Sequence, residues 1–399
     1  MLDLDVDRVR AEFPALTGKW TFFDNAGGSQ VLTRVADRVR DYMLTTSVQL
    51  GASYATSREA GRRVDDAARA TAAFMGAGDE HEIVIGASTT QLLANLAVAM
   101  REQIAAGDEI IVTSCDHESN IGPWRRLAAE RGAVIKEWRV DPKTLRLEAH
   151  DLEALLSVRT RLVCFTHASN VLGSVHDVAL LTRTAHARGA KVCVDGVAYA
   201  PHRKIDVAAW DVDYYVFSFY KVYGPHLAAL YGKRALLDAL PCIHHDFIGR
   251  DVVPYKLQPG NVCFELCHGV GAIYEYFDAL GGATKAFEAI AAHEERLAAR
   301  LLAFLHRARG VRIHGDAGAD RARRVPTISF SVDGRQSNDV VTGVDAHGIG
   351  IRFGDFYARR LIDELGVRAQ GGVVRVSMVH YNTLAEVDRL VEALAKVVG

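Results

Sequence analysis

The chain has 399 residues, 49% of them hydrophobic and 24% charged, with a formal net charge of −2. That length exceeds one small core and leads to an expectation of two domains in an ordinary globular protein. The balanced charge excludes a bulk field that would recruit nucleic acid or an anionic membrane, and no stretch is long and apolar enough to span a bilayer.

The start, Met1-Leu2-Asp3-Leu4-Asp5-Val6-Asp7, is acidic and lacks the basic flank and apolar run of a signal peptide, so a cytoplasmic location is expected. From about Ile83 to Gly232, short β-branched runs alternate with amphipathic helical stretches. Ile83-Val84-Ile85-Gly86 leads through Ala87-Ser88-Thr89-Thr90 into a helical stretch beginning at Gln91. A strand, a small polar turn and a helix start offer free backbone N–H groups and hydroxyls, which suit a phosphate monoester or a helix cap with no ligand. Ile110-Ile111-Val112 precedes a helix over Trp124 to Glu130, stopped by Gly132, and Arg161 to Phe165 precedes one over Asp177 to Arg188, stopped by Gly189. This alternation predicts a mostly parallel, buried sheet with helices on both faces.

His117 follows the strand that ends near Thr113, where it fits either a satisfied core histidine or one lying flat on a pyridine ring. Asn170 closes the strand over Leu162 to Phe165. The run Lys191-Val192-Cys193-Val194 ends in Asp195-Gly196, and Asp213 to Phe217 is followed by Ser218-Phe219-Tyr220-Lys221. Ligands of open α/β sheets bind outside the carboxyl ends of the strands, where all these residues fall. A carboxylate closing one buried strand and a lysine just past another meet the needs of pyridoxal 5'-phosphate (PLP). The lysine holds the cofactor as a Schiff base, and the aspartate keeps the pyridine nitrogen protonated. Ser218 and Tyr220 are further candidates for the phosphate.

After Pro259-Gly260 the texture changes. A helix over Ala283 to Ala308 leads into strands at Val325 to Phe330 and Val373 to Ser377, and Thr383-Leu384-Ala385-Glu386 is a capping box that opens a last helix. The expected division is a large PLP-binding domain over 21–260 and a small α+β domain from 1–20 and 261–399. The six cysteines (115, 164, 193, 242, 263 and 267) are scattered and read as reduced thiols, mostly packed as small hydrophobes. Cys263 and Cys267 stand near His268, but no second paired ligand motif follows and no metal site is expected. His244 and His245 are expected in a loop lining the pocket mouth.

The chain resembles the class V aminotransferase group of fold-type-I PLP enzymes, and most closely its cysteine desulfurase-like branch. The matching stretches are Phe22 to Gly28, Asp116 to Trp124, Ser169 to Gly173, Asp195-Gly196, Ser218 to Pro225 and Arg375 to Asn382, nearly end to end. The resemblance implies a large domain with a mostly parallel seven-stranded sheet between helices and a smaller α+β domain. It implies Lys221 as the Schiff-base lysine, His117 stacked on the ring, Asp195 on the pyridine nitrogen and Asn170 near the phenolate oxygen. Ser88, Thr89, Thr90, Ser218 and Tyr220 are expected around the phosphate. Arg375 is implied for the substrate carboxylate, with Arg352, Asn25 and Tyr357 as further substrate-binding candidates, and a homodimer with shared sites is implied near Phe264 to His268.

Two departures shape the expected function. Tyr357 stands where the desulfurases of this family carry a nucleophilic cysteine, and a phenol oxygen cannot carry a persulfide. Ala198 stands where they carry a glutamine, and His268 where they carry a threonine. The reading is an enzyme, His117 and Lys221 its catalytic residues, acting on a small L-amino acid by β-carbon lyase chemistry without a persulfide relay. The class includes a C–S lyase, a desulfinase and a β-decarboxylating enzyme. The alternatives are an aminotransferase or epimerase, and a non-catalytic regulatory protein on the same fold.

Overall fold

Runs rich in Val, Ile and Phe build the centre of the molecule. The computed structural model describes residues 4–398, so residues 1–3 and 399 of the expected small domain, and the first three of the acidic start, lie outside the described residues. The strands in chain order are β1 (Thr21–Phe22), β2 (Ile83–Gly86), β3 (Glu109–Thr113), β4 (Val134–Trp138), β5 (Thr160–Thr166), β6 (Lys191–Asp195) and β7 (Tyr214–Ser218). They continue with β8 (Ala228–Gly232), β9 (Val311–His314), β10 (Thr327–Val332), β11 (Ile349–Gly350), β12 (Arg352–Gly354) and β13 (Val373–Ser377).

Seven strands form one sheet in the order β2-β8-β7-β6-β5-β3-β4. Only β8 is reversed, antiparallel to both β2 and β7. The fold is therefore the expected α/β architecture with a mostly parallel seven-stranded sheet. Its side chains alternate between two cores with the period of two that a pleated strand imposes. Ile110, Val112, Leu162, Cys164, Cys193, Tyr214 and Val216 face one core, with Leu92, Leu96 and Trp124 of the helices Thr89–Ala99 and Gly122–Arg131. Ile111, Val163, Phe165, Val192, Val194, Tyr215 and Phe217 face the other, with Leu181 of the helix Val178–His186 and Val270 and Ile273 of the helix Phe264–Ala279.

A second, antiparallel sheet has the order β12-β13-β10-β9, and β1 pairs with β11 beside it. The helices Ala283–Leu305 and Leu384–Val398 cover it, burying Leu297, Leu301, Leu390 and Leu394 against Ile328, Phe330, Val374 and Val376. The capping box forms as read, with Glu386 N–H donating to Thr383 Oγ1 at 3.1 Å and Thr383 N–H to Glu386 Oε2 at 2.9 Å. Phe23 packs in this second core, whereas Val9 and Phe13 belong to the core that holds Ile111 and Val163, where the ring of Phe13 meets those of Tyr223, Tyr276 and Tyr381.

The turn after β5 is where the two sheets are stitched together. Val325 N–H donates to Gly173 O and Val175 N–H to Arg323 O, both at 2.9 Å, and Ser329 Oγ donates to Val171 O at 2.6 Å. Gly173 has φ +71, and a Cβ there would lie 2.3 Å from Thr327 O. Left-handed backbone costs an L-residue about 1–2 kcal/mol, and a forced overlap about 1–3 kcal/mol more. Gly173→Ala is accordingly expected to lower stability by about 2–5 kcal/mol, read as a shifted urea midpoint at unchanged slope.

Candidate active site

The carboxyl ends of β3, β5, β6 and β7 open onto one cleft of about 490 Å³. Ser88, Thr89 and Thr90 line it from the start of the helix Thr89–Ala99, and His117, Asn170, Asp195, Ser218, Tyr220 and Lys221 line it from beyond the strand ends. Ser119, Thr166, Ala168, Val197 and Ala198 complete the wall. Ser119, Thr166, Ala168 and Val197 escaped the reading of the sequence, although each lies within four residues of a residue it identified.

Ser88 caps its helix by accepting a hydrogen bond from Gln91 N–H at 3.2 Å, and Ser218 Oγ donates to Thr89 Oγ1 at 3.4 Å. The N–H groups of Thr89 and Thr90 open the helix, where no intrahelical carbonyl can receive them. Together they make a cradle for a phosphate. Asp195 is buried and accepts Val197 N–H at 2.9 Å. Burial raises its carboxyl above the ordinary range, against the opposing pull of Val197 N–H and of Lys221. A cationic ring nitrogen beside it would keep it ionised. Burial, with help from Arg375, lowers the Lys221 amine to about 8, so a substantial neutral fraction exists near neutral pH. Phosphate donors, a buried carboxylate and a lowered lysine in one cleft fit PLP.

His117 Nδ1 receives Ser119 N–H at 3.1 Å and lies 2.8 Å from Ser119 Oγ. An Nδ1 that accepts assigns the ring proton to Nε2. Burial, and then the charges of Lys221 and Arg375, lower the imidazole to about 4. The unfolded chain therefore holds more protons than the folded one between pH 4 and 6.5, and this contribution to stability is lost as pH falls through that window. The neighbouring Asp116 has the opposite sign, because burial raises it to about 7. Comparing His117→Asn with the parent separates the two. The parent is expected to lose more stability than the variant between pH 7 and pH 5, read from urea midpoints.

The substrate candidates fall outside the cleft wall. Arg375 lies behind Asn170, with Nη1 donating to Asn170 O at 3.1 Å and Nη2 to Asp24 Oδ1 at 3.0 Å. The ring of Phe356 covers the guanidinium at 3.7 Å, and burial lowers Arg375 to about 10. Arg352 is exposed and pairs with Asp24 at 3.2 Å. Tyr357 is exposed too, its ring 5.0 Å from that of His117, and its carbonyl accepts Glu118 N–H at 2.8 Å. Phe356 and Tyr357 both have positive φ, 51° and 59°. Asn25 does not reach the cleft, because its Nδ2 donates to Phe22 O, Ser377 O and Asn382 Oδ1 while its Oδ1 receives the Tyr381 hydroxyl. His244 and His245 do not line its mouth, but border a separate depression over Pro241 to Arg250, where Tyr255 O lies 3.0 Å from His244 Nε2.

The family model for class V aminotransferases matches residues 21–390. The chain belongs to that family. It is 44% identical to the aminotransferase-like protein FGM3 of Gibberella zeae, with 98% of each chain covered. It is 34% identical to the cysteine desulfurase-like protein ustD of Aspergillus flavus, covering 99% of this chain and 91% of the relative. Among solved structures it is similar to the cysteine desulfurase CsdA of Escherichia coli, with a TM-score of 0.88, 28% identity and 99% of each chain covered. The protein is thus a PLP-dependent enzyme of the cysteine desulfurase-like type. No helix among the described residues is long and apolar enough to cross a membrane.

Proposed function

We propose that this class V enzyme acts at the β-carbon of a small L-amino acid and releases the leaving group without a protein persulfide. Bound PLP supplies an electron sink that stabilises negative charge next to the amino carbon. The chain's own residues divide the remaining work. Ser88, Thr89, Thr90 and Ser218 would hold the phosphate, with Tyr220 beside them, and Asp195 the ring nitrogen. Lys221 would hold the cofactor and, once released, take and return the proton at the α-carbon. The neutral His117 would cover the ring, with Asn170 at its oxygen. Arg375 would fix the substrate carboxylate, since its planar fork matches both oxygens.

The observation that supports the reading is Tyr357, whose ring lies 5.0 Å from that of His117 and which the resemblance matches to the nucleophilic cysteine of the desulfurases. Of the cysteines, Cys115, Cys164, Cys193 and Cys267 are buried, and burial raises the thiols of Cys115, Cys164 and Cys267. Cys242 and Cys263 are half-buried and belong to neither the cleft nor the segment of Tyr357. The C–S lyase, desulfinase and β-decarboxylating variants all use this machinery. An L-amino acid panel assayed for sulfide, pyruvate, alanine and carbon dioxide separates them. Pyridoxamine phosphate with an oxo acid as the only product would instead support the aminotransferase. The reading includes a homodimer, which sedimentation of the holoenzyme checks.

A further inference from the structure

Arg375 is more constrained than a free carboxylate anchor. Its Nε and Nη2 form one edge of the guanidinium, the edge that grips a carboxylate with two parallel hydrogen bonds. Here Nη2 is taken by Asp24 Oδ1, while Nε is buried with no hydrogen-bond partner. The second oxygen of Asp24 is turned away, bonded to Arg352 Nη1 at 3.2 Å. Nη1 of Arg375 is occupied by the Asn170 carbonyl, and the ring of Phe356 covers a face. A carboxylate arriving at the half-filled edge therefore meets one already there.

We infer that Asp24 is an internal stand-in for the substrate carboxylate, and that Arg352 is the partner that receives Asp24 when substrate displaces it. This rests on the reading of Arg375 as carboxylate anchor. Asp24 shares one carboxylate between two arginines, so neither holds it with a full fork. Arg352 is well exposed, with room to follow Asp24, whereas Arg375 is fixed by burial and by Asn170. The exchange keeps every charge paired: the substrate carboxylate fills Nε and Nη2 of Arg375, and Arg352 keeps Asp24. Asp24 and Arg352 are then positioning residues that set affinity for the carboxylate, acting through Arg375.

The test uses the holoenzyme, the preferred amino acid from the panel, and propionate as a competing carboxylate with no amino group. Asp24→Asn removes the internal competitor while keeping its shape. KM and the propionate inhibition constant are expected to fall about 2- to 5-fold, from the worth of a partly exposed pair, with kcat much less changed. Arg352→Gln strands Asp24 on Arg375, and both constants are expected to rise. In the double variant the effect of Arg352→Gln disappears, because the group it serves is gone. A merely structural Asp24 would weaken binding when changed, so rising constants in Asp24→Asn, or additive effects in the double variant, overturn the exchange. Arg375→Ala distinguishes the two levels. Unchanged propionate inhibition in that variant removes the anchor reading and the exchange together, whereas a loss there beside unaltered constants in Asp24→Asn removes the exchange alone.

Discussion

Lys221→Ala is expected to abolish turnover, lowering kcat by at least about 10²–10⁴-fold, the range lost with a positioned proton-transfer group. The variant should still fold. Lys221 follows β7 in a short 3-10 turn, and the turn is held by backbone bonds that the substitution leaves intact. Phe219 N–H donates to Leu227 O at 2.9 Å, and Ser29 N–H to Tyr220 O at 3.1 Å. Burial lowers the amine to about 8, so a charged Lys221 costs stability below that pH, and the side chain's removal relieves it. With both proteins free of cofactor, a variant that melts at or above the parent temperature, yet turns nothing over once PLP is supplied, separates chemistry from folding. Residual activity within tenfold of the parent would assign the proton transfer elsewhere.

Arg375→Ala is expected to cost about 2–4 kcal/mol in kcat/KM, roughly 30- to 1,000-fold, because a buried charge-assisted carboxylate pair loses one partner. The cofactor should stay bound, since Arg375 lies behind Asn170 and takes no part in the cleft wall. Asp24 keeps Arg352 as a partner in this variant, so no buried carboxylate is stranded. Cofactor absorbance checks retention, and steady-state kinetics on the preferred amino acid check the loss. Unchanged kinetics would show that another group, with Arg352 nearest at hand, holds the carboxylate.

The sheet and the cleft were legible because one rule served both. β3, β5, β6 and β7 are runs rich in β-branched and aromatic residues and are almost wholly buried, and the residues just past their ends are brought together by the parallel arrangement itself. Lys221, Asp195, His117 and Asn170 converge for that reason. Elements off this pattern were harder to see. β8 reads Ala228-Ala229-Leu230-Tyr231-Gly232, with little intrinsic strand preference, and is held by antiparallel pairing to β2 and β7 on either side. β4 is an edge strand whose Lys136 and Glu137 mask its apolar positions.

The substrate side was least legible, because it depends on contacts between residues some 350 positions apart. Asp24 adjoins Asn25 in the sequence, and only the pairing of β1 beside the second sheet shows which one reaches Arg375. The same folding consumes Asn25, whose amide is satisfied by Phe22, Ser377, Tyr381 and Asn382. Phe356 gave no signal at all, since neither its left-handed backbone nor its place on Arg375 follows from local residue preferences.

The most direct test of the account is borohydride reduction of the purified holoenzyme, followed by peptide mapping of the pyridoxyl group. The account places the label on Lys221, in the peptide that follows Tyr214 to Ser218, at one equivalent per chain. Label on another lysine, or no label with cofactor supplied in excess, would contradict it.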